Sequence, residues 1–212
     1  GTSVTGVDNL EIVSGLALFG IDVRVPEMQY AAYQKCPAFG GKVVSANLEA
    51  IKKLPGITAA FILDGNDNVR ELSSGVALVG TSTWAVFNAK KKLDIQWDES
   101  TASKDSWTQM VSRAKQIHAQ PGTELITESG DVNASFSNPE HQTIEAFYEY
   151  PFVAHLCMEP MNCSAHYKAG SNGEKDTLEL WIPTQAPARA YPVVKSMFDL
   201  EQEQVKIHQM RL

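Results

Sequence analysis

The side chains best suited to chemistry lie close together in residues 151–166, which read PFVAHLCMEPMNCSAH. Glu159 stands between two methionines and directly before Pro160. A carboxylate in such apolar surroundings is costly to bury unless something hydrogen-bonds it, so the pattern indicates a shaped binding site. The alternative is a core strand with one satisfied glutamate and inert buried thiols, because a free cysteine behaves as a small hydrophobic residue.

The same segment also contains side chains of the types that bind Zn²⁺, namely His155, Cys157, Cys163 and His166. His155 and Cys157 would share one face of a strand. The spacings H-x-C and C-x₅-C match no standard zinc motif, and Pro160 lies in the connecting turn. A zinc site is therefore the weaker alternative.

A second segment, residues 181–187 with the sequence WIPTQAP, places two polar residues between prolines. Pro183 and Pro187 hold the backbone extended and keep Thr184 and Gln185 out of a regular strand ladder. Gln185 offers a neutral amide NH₂ donor, which is suited to binding an oxo group without adding charge. The competing interpretation is an ordinary polar turn at the end of a strand.

The composition excludes several classes of protein. The chain has 212 residues, of which 43% are hydrophobic and 20% charged, which is typical of a globular protein. The net charge is -7 and the densest basic cluster is residues 90–92, so we expect no nucleic-acid partner. No apolar run approaches the roughly 20 residues needed to cross a bilayer. The motifs of α/β-hydrolases, P-loop enzymes and zincins are absent.

Short apolar runs alternate with helix-like stretches through the first hundred residues, which indicates a mixed α/β fold. Strands are expected at Leu16–Val23, Met28–Tyr33, Lys42–Ala46, Ile57–Leu63, Val76–Gly80 and Leu93–Trp97. Helices are expected from Asn47 to the Pro55-Gly56 pair and from Thr81 or Ser82 to about Ala89.

The character of the sequence changes after Asp98 to a polar connector with one amphipathic helix, roughly Asp105 to Ala119. A second half begins near Thr143 with the alternating residues Ile144, Ala146, Tyr148 and Tyr150. It continues with a strand at Leu178–Ile182, a helix from about Ala188 to Leu200 and a last strand from Gln204 to Met210.

Taken together, several segments resemble a known enzyme family. They are residues 19–23 (FGIDV), 37–43 (PAFGGKV), 54–57 (LPGI), 155–163 (HLCMEPMNC) and 181–185 (WIPTQ). They are similar, in this order, to the large molybdopterin-binding subunit of isoquinoline 1-oxidoreductase and related aldehyde dehydrogenases, a branch of the xanthine dehydrogenase and aldehyde oxidase family. The MEPMNC and PTQ segments are the specific parts of the likeness.

The resemblance implies a domain organisation and a site. Residues 1–100 would form an α/β hammerhead domain, 101–142 a connector, and 143–212 the beginning of a molybdopterin-binding domain. Gln185, with Thr184, would bind the cofactor, the amide of Gln185 donating to the apical oxo group of molybdenum. The cofactor and substrate cavity would be lined by His155, Met158, Glu159, Met161 and Asn162. The pterin would hold the metal, so no protein side chain would be a metal ligand.

The resemblance also implies an activity, the oxidation of an aldehyde or the hydroxylation of an N-heteroaromatic carbon with oxygen derived from water. The cofactor would be molybdopterin in its cytosine dinucleotide form, and the partners a small iron-sulfur subunit and a cytochrome c. The location would be periplasmic or membrane-associated. The family's glycine-rich loop and catalytic glutamate do not occur in these residues, so we expect the chain to be an excised piece that is inactive alone. A non-catalytic scaffold module is the other alternative, beside the zinc-binding domain.

Overall fold

Two apolar clusters organise the chain, each formed where helices pack on a sheet. The computed structural model describes residues 1–16, 19–66, 72–124, 126–127, 129–171 and 173–211. The chain divides into one unit formed by residues 1–102 together with 156–212, and a second unit formed by residues 103–155. The predicted domain boundaries near residues 100 and 143 stay predictions.

The α-helices and strands of the described residues are short, from four residues in one strand to twelve in one helix. The α-helices are α1 Asn9–Ser14, α2 Leu48–Lys52, α3 Thr83–Lys90, α4 Trp107–His118, α5 Val132–Ser137 and α6 Ala190–Phe198. The strands are β1 Tyr30–Lys35, β2 Lys42–Ala46, β3 Ile57–Leu63, β4 Gly75–Gly80, β5 Ile95–Asp98, β6 Ser164–Lys168, β7 Thr177–Pro183 and β8 Val205–Met210. None of the described helices is both long and apolar enough to span a bilayer.

In the first hundred residues, β4 is the central strand of an antiparallel sheet with the order β1-β4-β3. The near-continuous apolar sequence of β4 fits this position, since it is buried almost along its whole length. Helix α3 begins directly after Ser82, whose hydroxyl accepts a hydrogen bond from the Ala85 N–H at 3.2 Å. Helices α2 and α3 close the first apolar cluster, whose buried members are Ile51, Ala60, Val76, Leu78 and Ala89.

Strands β2 and β5 form a separate antiparallel pair. The last fifty residues form the other three-stranded sheet, called the second sheet below, with the order β6-β7-β8. Strands β6 and β7 are antiparallel, whereas β7 and β8 are parallel and are connected through α6. One face of the sheet packs in an apolar cluster with buried Leu178, Leu180, Val194 and Leu200. Because side chains alternate along a strand, Glu179 and Trp181 project from the opposite face. There the Trp181 ring stacks on His208, with ring centroids 4.9 Å apart.

The unit of residues 103–155 carries α4 and α5. Helix α4 begins after Ser106, whose hydroxyl accepts a hydrogen bond from the Gln109 N–H at 3.3 Å. An extended segment lies along this helix, where the Trp107 indole N–H donates to Glu149 at 2.6 Å. The same indole meets Phe152 edge-on, with centroids 5.5 Å apart. The predicted helix over 105–119 is thus present with slightly narrower bounds.

One predicted strand is wrong. In place of the strand predicted for Leu16–Val23, Gly20–Asp22 forms a 3₁₀ turn, and Ala17 and Leu18 lie outside the described residues. The reason is that the Asp22 carboxylate accepts a hydrogen bond from the Phe19 N–H at 3.1 Å, which favours a turn over a ladder.

The alternation after Thr143 produces no strand either. Residues 142–157 are all described, and they form neither helix nor strand. Their large apolar side chains are exposed, Ile144 at 85% and Tyr150 at 78%, so the alternation has no second strand against which to pair.

Candidate functional site

The Thr184–Gln185 bend follows directly on the last residue of β7, Pro183. The Thr184 hydroxyl accepts a hydrogen bond from the Ala186 N–H at 3.1 Å, and its carbonyl accepts one from the Gln209 side chain at 2.9 Å. These two bonds hold the backbone of the bend. The flanking prolines correctly predict that the two polar residues leave the strand.

The side chain of Gln185 is exposed and forms no hydrogen bond to another described residue. An amide that is held on a fixed bend and remains free to donate is suited to a neutral acceptor such as an oxo group. Its role as a cofactor ligand stays a prediction.

Glu159 and Asn162 lie against the Gly20–Asp22 turn. Glu159 Oε1 accepts hydrogen bonds from the Ile21 N–H at 2.9 Å and from Asn162 Nδ2 at 2.8 Å. Asn162 Nδ2 also donates to the Pro160 carbonyl at 2.9 Å. Glu159 is only partly buried, and the donors to its carboxylate belong to the chain itself.

The side-chain oxygen of Asn162 lies in a tightly packed place beside Gly20. This Oδ1 atom is buried and has no hydrogen-bond partner among the described residues. It faces Gly20, where a Cβ atom would lie only 2.5 Å from it. A larger residue at this position would therefore force Asn162 or Pro183 to shift.

The other predicted cavity residues are not brought together by the described structure. Met158 and Met161 are almost fully exposed, at 101% and 98%. His155 is also exposed and belongs to the unit of residues 103–155. The assignment of these residues to a cofactor cavity stays a prediction.

The zinc alternative finds no support in the described part of the chain. No group of three or more His, Cys, Asp or Glu side chains there could hold a metal ion. His166 instead lies on β6 opposite Glu179, within the sheet.

A polar cavity of about 240 Å³ lies on the open face of the second sheet. Its lining includes His166, Lys168, Glu179 and Lys206. Desolvation raises the pKa of Glu179, but hydrogen bonding to Lys206 at 3.4 Å and the positive charges nearby outweigh it, so the net pKa lies below the usual range. Gln185 does not line this cavity.

Sequence reasoning missed the partners of the predicted residues. Nothing in the pattern connects Ile21 with Glu159, which are 138 positions apart. Gln209 gives equally little signal, because it reads as an ordinary residue of the last strand. The FGID sequence at residues 19–22 was the one available hint, since Gly and Asp together favour a turn.

Comparison with known proteins relates the second half of the chain to a cofactor-binding family. Residues 117–212 match the family model of the molybdopterin cofactor-binding domain. The isoquinoline 1-oxidoreductase subunit beta of Brevundimonas diminuta is 26% identical over 92% of this chain and 24% of that protein. The nicotinate dehydrogenase large molybdopterin subunit of Eubacterium barkeri is 24% identical over 99% of this chain and 53% of that protein. The xanthine dehydrogenase molybdenum-binding subunit of Escherichia coli O157:H7 is 24% identical over 95% and 30%.

Solved structures confirm the α/β fold. The crystal structure of quinoline 2-oxidoreductase from Pseudomonas putida 86 superposes with a TM-score of 0.65 at 14% identity, covering 99% of this chain and 30% of that one. The chain spans from 24% to 53% of the length of the three curated relatives named above. Residues 117–212 are therefore matched to a molybdopterin cofactor-binding domain, and the chain is similar to the molybdopterin-binding subunits of oxidoreductases of the xanthine dehydrogenase family.

Proposed function

We propose that this chain is part of the large subunit of a molybdenum hydroxylase and presents Gln185 to a molybdopterin cofactor. The observation that carries the proposal is the match of residues 117–212 to the cofactor-binding domain, which contains Gln185 with its exposed side-chain amide on a hydrogen-bonded bend. The donor fits the cofactor chemically, because it is neutral and its backbone is held by Thr184 and Gln209.

The substrate we propose is an N-heteroaromatic ring, hydroxylated at a carbon with oxygen from water. The support is that the similar proteins are named for isoquinoline, nicotinate, xanthine and quinoline, which are all N-heteroaromatic compounds. Oxidation of an aldehyde is the second proposed reaction, from the resemblance alone. The cytosine dinucleotide form of the cofactor, the iron-sulfur and cytochrome c partners and the periplasmic or membrane-associated location stay predictions of that resemblance.

The residues of this chain would contribute binding and orientation. When bound, the molybdopterin cofactor supplies the oxidation-reduction chemistry through its molybdenum. Gln185 would donate its amide N–H to an oxygen of the cofactor, a bond that strengthens as negative charge develops on that oxygen. Thr184 and Gln209 would keep the bend from moving, so that no reorganisation accompanies the reaction.

The test is the Gln185→Ala substitution in the complete subunit assembled with its iron-sulfur partner. We expect kcat for isoquinoline, nicotinate or an aldehyde, measured with a dye acceptor, to fall by roughly 100-fold, because one preorganised donor is lost. Gln202→Ala is the control, since that side chain is exposed as well and lies in the same unit. Wild-type turnover and wild-type molybdenum content in Gln185→Ala would refute the proposal. The 212-residue chain alone is expected to give neither bound molybdenum nor turnover.

A further inference from the structure

The Gly20–Asp22 turn packs against the end of β7, immediately before the Thr184–Gln185 bend. Gly20 is buried, and a Cβ atom on it would lie 2.9 Å from Cδ of Pro183. The backbone of the turn therefore touches the proline ring that ends the strand. A movement of the turn away from β7 would leave Pro183 without this contact.

The turn is attached on its other side by Glu159 and Asn162. Glu159 is the acceptor for the Ile21 N–H, the central amide of the turn, and its second bond to Asn162 sets the position of the asparagine beside Gly20. We call the contacts among Glu159, Asn162 and the turn the Glu159 junction.

Residues next to the turn also connect it to the end of the second sheet. Phe19 forms a parallel bridge with Arg211, which directly follows β8. The Arg211 guanidinium pairs with the Asp8 carboxylate. The residues around the turn are thus connected to the end of β8 independently of the Glu159 junction, so removing the junction should loosen the turn locally.

We propose that Glu159 is a positioning residue, which fixes the end of β7 through the Gly20–Asp22 turn and thereby holds the Thr184–Gln185 bend. The proposal rests on the proposed function insofar as Gln185 is the group being positioned. Both donors to Glu159 Oε1 belong to this chain. The role requires an oxygen acceptor at the correct reach, and it does not require a proton or a negative charge.

Three substitutions of Glu159 distinguish the effect of side-chain length from the effect of its negative charge. Glu159→Gln retains an oxygen at the same distance and removes the charge. Glu159→Asp retains the charge and shortens the side chain by one methylene group, and Glu159→Ala removes the acceptor. Glu174→Gln is the matched control, because Glu174 is exposed in the same unit and the described structure gives its side chain no hydrogen bond.

Hydrogen-deuterium exchange followed by mass spectrometry on the 212-residue chain provides a readout that is independent of activity. The reporters are the amide of Ile21, bonded to Glu159, and the amide of Ala186, bonded to Thr184. We expect Glu159→Ala and Glu159→Asp to exchange about tenfold faster at Ile21 and measurably faster at Ala186, because the Ile21 amide loses its acceptor in the first variant and no longer reaches it in the second. Glu159→Gln should stay within about threefold of wild type at both sites.

In the complete subunit, the variants should rank in molybdenum content and in kcat as they do in amide exchange. Glu159→Gln should be close to wild type and Glu159→Asp should be impaired. If Glu159→Asp is normal and Glu159→Gln is impaired, the charge itself acts and the proposal is overturned. Equal behaviour of these two variants, whether both are normal or both impaired, overturns it as well. Should Glu159→Ala fail to fold, the comparison of Asp with Gln still decides.

The two proposals fail in different ways. Full activity of Gln185→Ala would refute the cofactor role of Gln185 and leave the exchange result at Ile21 and Ala186 unaffected. Unchanged exchange at Ala186 in Glu159→Asp would refute the positioning role and leave the cofactor role of Gln185 standing.

Discussion

Replacement of Gly20 by alanine tests the packing between the Gly20–Asp22 turn and the strand end. The added methyl carbon would lie 2.5 Å from Asn162 Oδ1 and 2.9 Å from Pro183 Cδ. The turn does not have a left-handed backbone at this glycine, so the effect is purely one of space. Asn162 would have to retreat by about 0.5 Å only to reach 3.0 Å, the shortest distance that Cβ atoms normally show.

Neither neighbour can move freely. Pro183 is a ring in the last position of β7, and Asn162 is held by hydrogen bonds to Glu159 at 2.8 Å and to Pro160 at 2.9 Å. Overpacking of this kind costs about 1–3 kcal/mol of unfolding free energy. With a urea m-value of about 2 kcal/mol/M, the midpoint should fall by roughly 0.5–1.5 M.

The assay is urea unfolding of the 212-residue chain, followed by the fluorescence of its tryptophans, of which Trp181 lies in β7. Gly122→Ala is the control, because a Cβ atom there meets nothing within 4 Å. The control should be unchanged or more stable by up to about 1 kcal/mol, since alanine restricts the unfolded chain. A Gly20→Ala midpoint equal to that of Gly122→Ala would refute the packing argument.

Two further predictions concern the second sheet. Leu200→Ala should lower the unfolding free energy by about 2–5 kcal/mol in urea titrations, because Leu200 is 2% exposed within the apolar cluster. The control is Leu10→Ala at an exposed position, which should lower it by less than about 0.5 kcal/mol. Equal losses in the two variants would contradict the burial argument. Tyr167 donates to Asp176 at 2.5 Å, and this bond, followed by one from the Gly170 N–H, lowers the pKa of the Asp176 carboxyl. The resulting stability is present above the ordinary aspartate pKa of about 4 and is lost as the pH falls through the lowered value. Tyr167→Phe should therefore lose less stability than wild type between about pH 5 and pH 2, and parallel urea-midpoint curves would show that the bond contributes nothing.

Those elements that follow simple patterns could be predicted from the sequence. Strands β2 and β3 have the predicted bounds, because each is an apolar or alternating run beside turn residues, such as the Pro55-Gly56 pair directly before β3. Strand β6 was not predicted, since its sequence SAHYK is largely polar and becomes a strand only through pairing with β7. Helix α5 was also missed, although Asp131 accepts a hydrogen bond from the Ala134 N–H at its beginning, and an aspartate at that position was an available signal.

The candidate site also has one part that the sequence predicts and one part that it does not. That Thr184 and Gln185 leave the strand follows from local proline chemistry, and the structure confirms it. The partners of Glu159 could not be predicted, because a hydrogen bond between side chain and backbone over 138 positions leaves no periodicity in either segment. The apolar alternation from Ile144 to Tyr150 misled, since hydrophobic periodicity reports a tendency to pair and not whether a neighbouring strand is present.

The long sequence separation of Ile21 and Glu159 has a consequence during synthesis. A ribosome adds about 5–20 residues per second, so the 138 positions between them correspond to an interval of roughly 7–28 s. Throughout that interval the nascent turn has neither its carboxylate acceptor nor the strand end on which it packs. The turn is thus made well before the residues that hold it, and its native contacts can form only after Glu159 and the end of β7 have been synthesised.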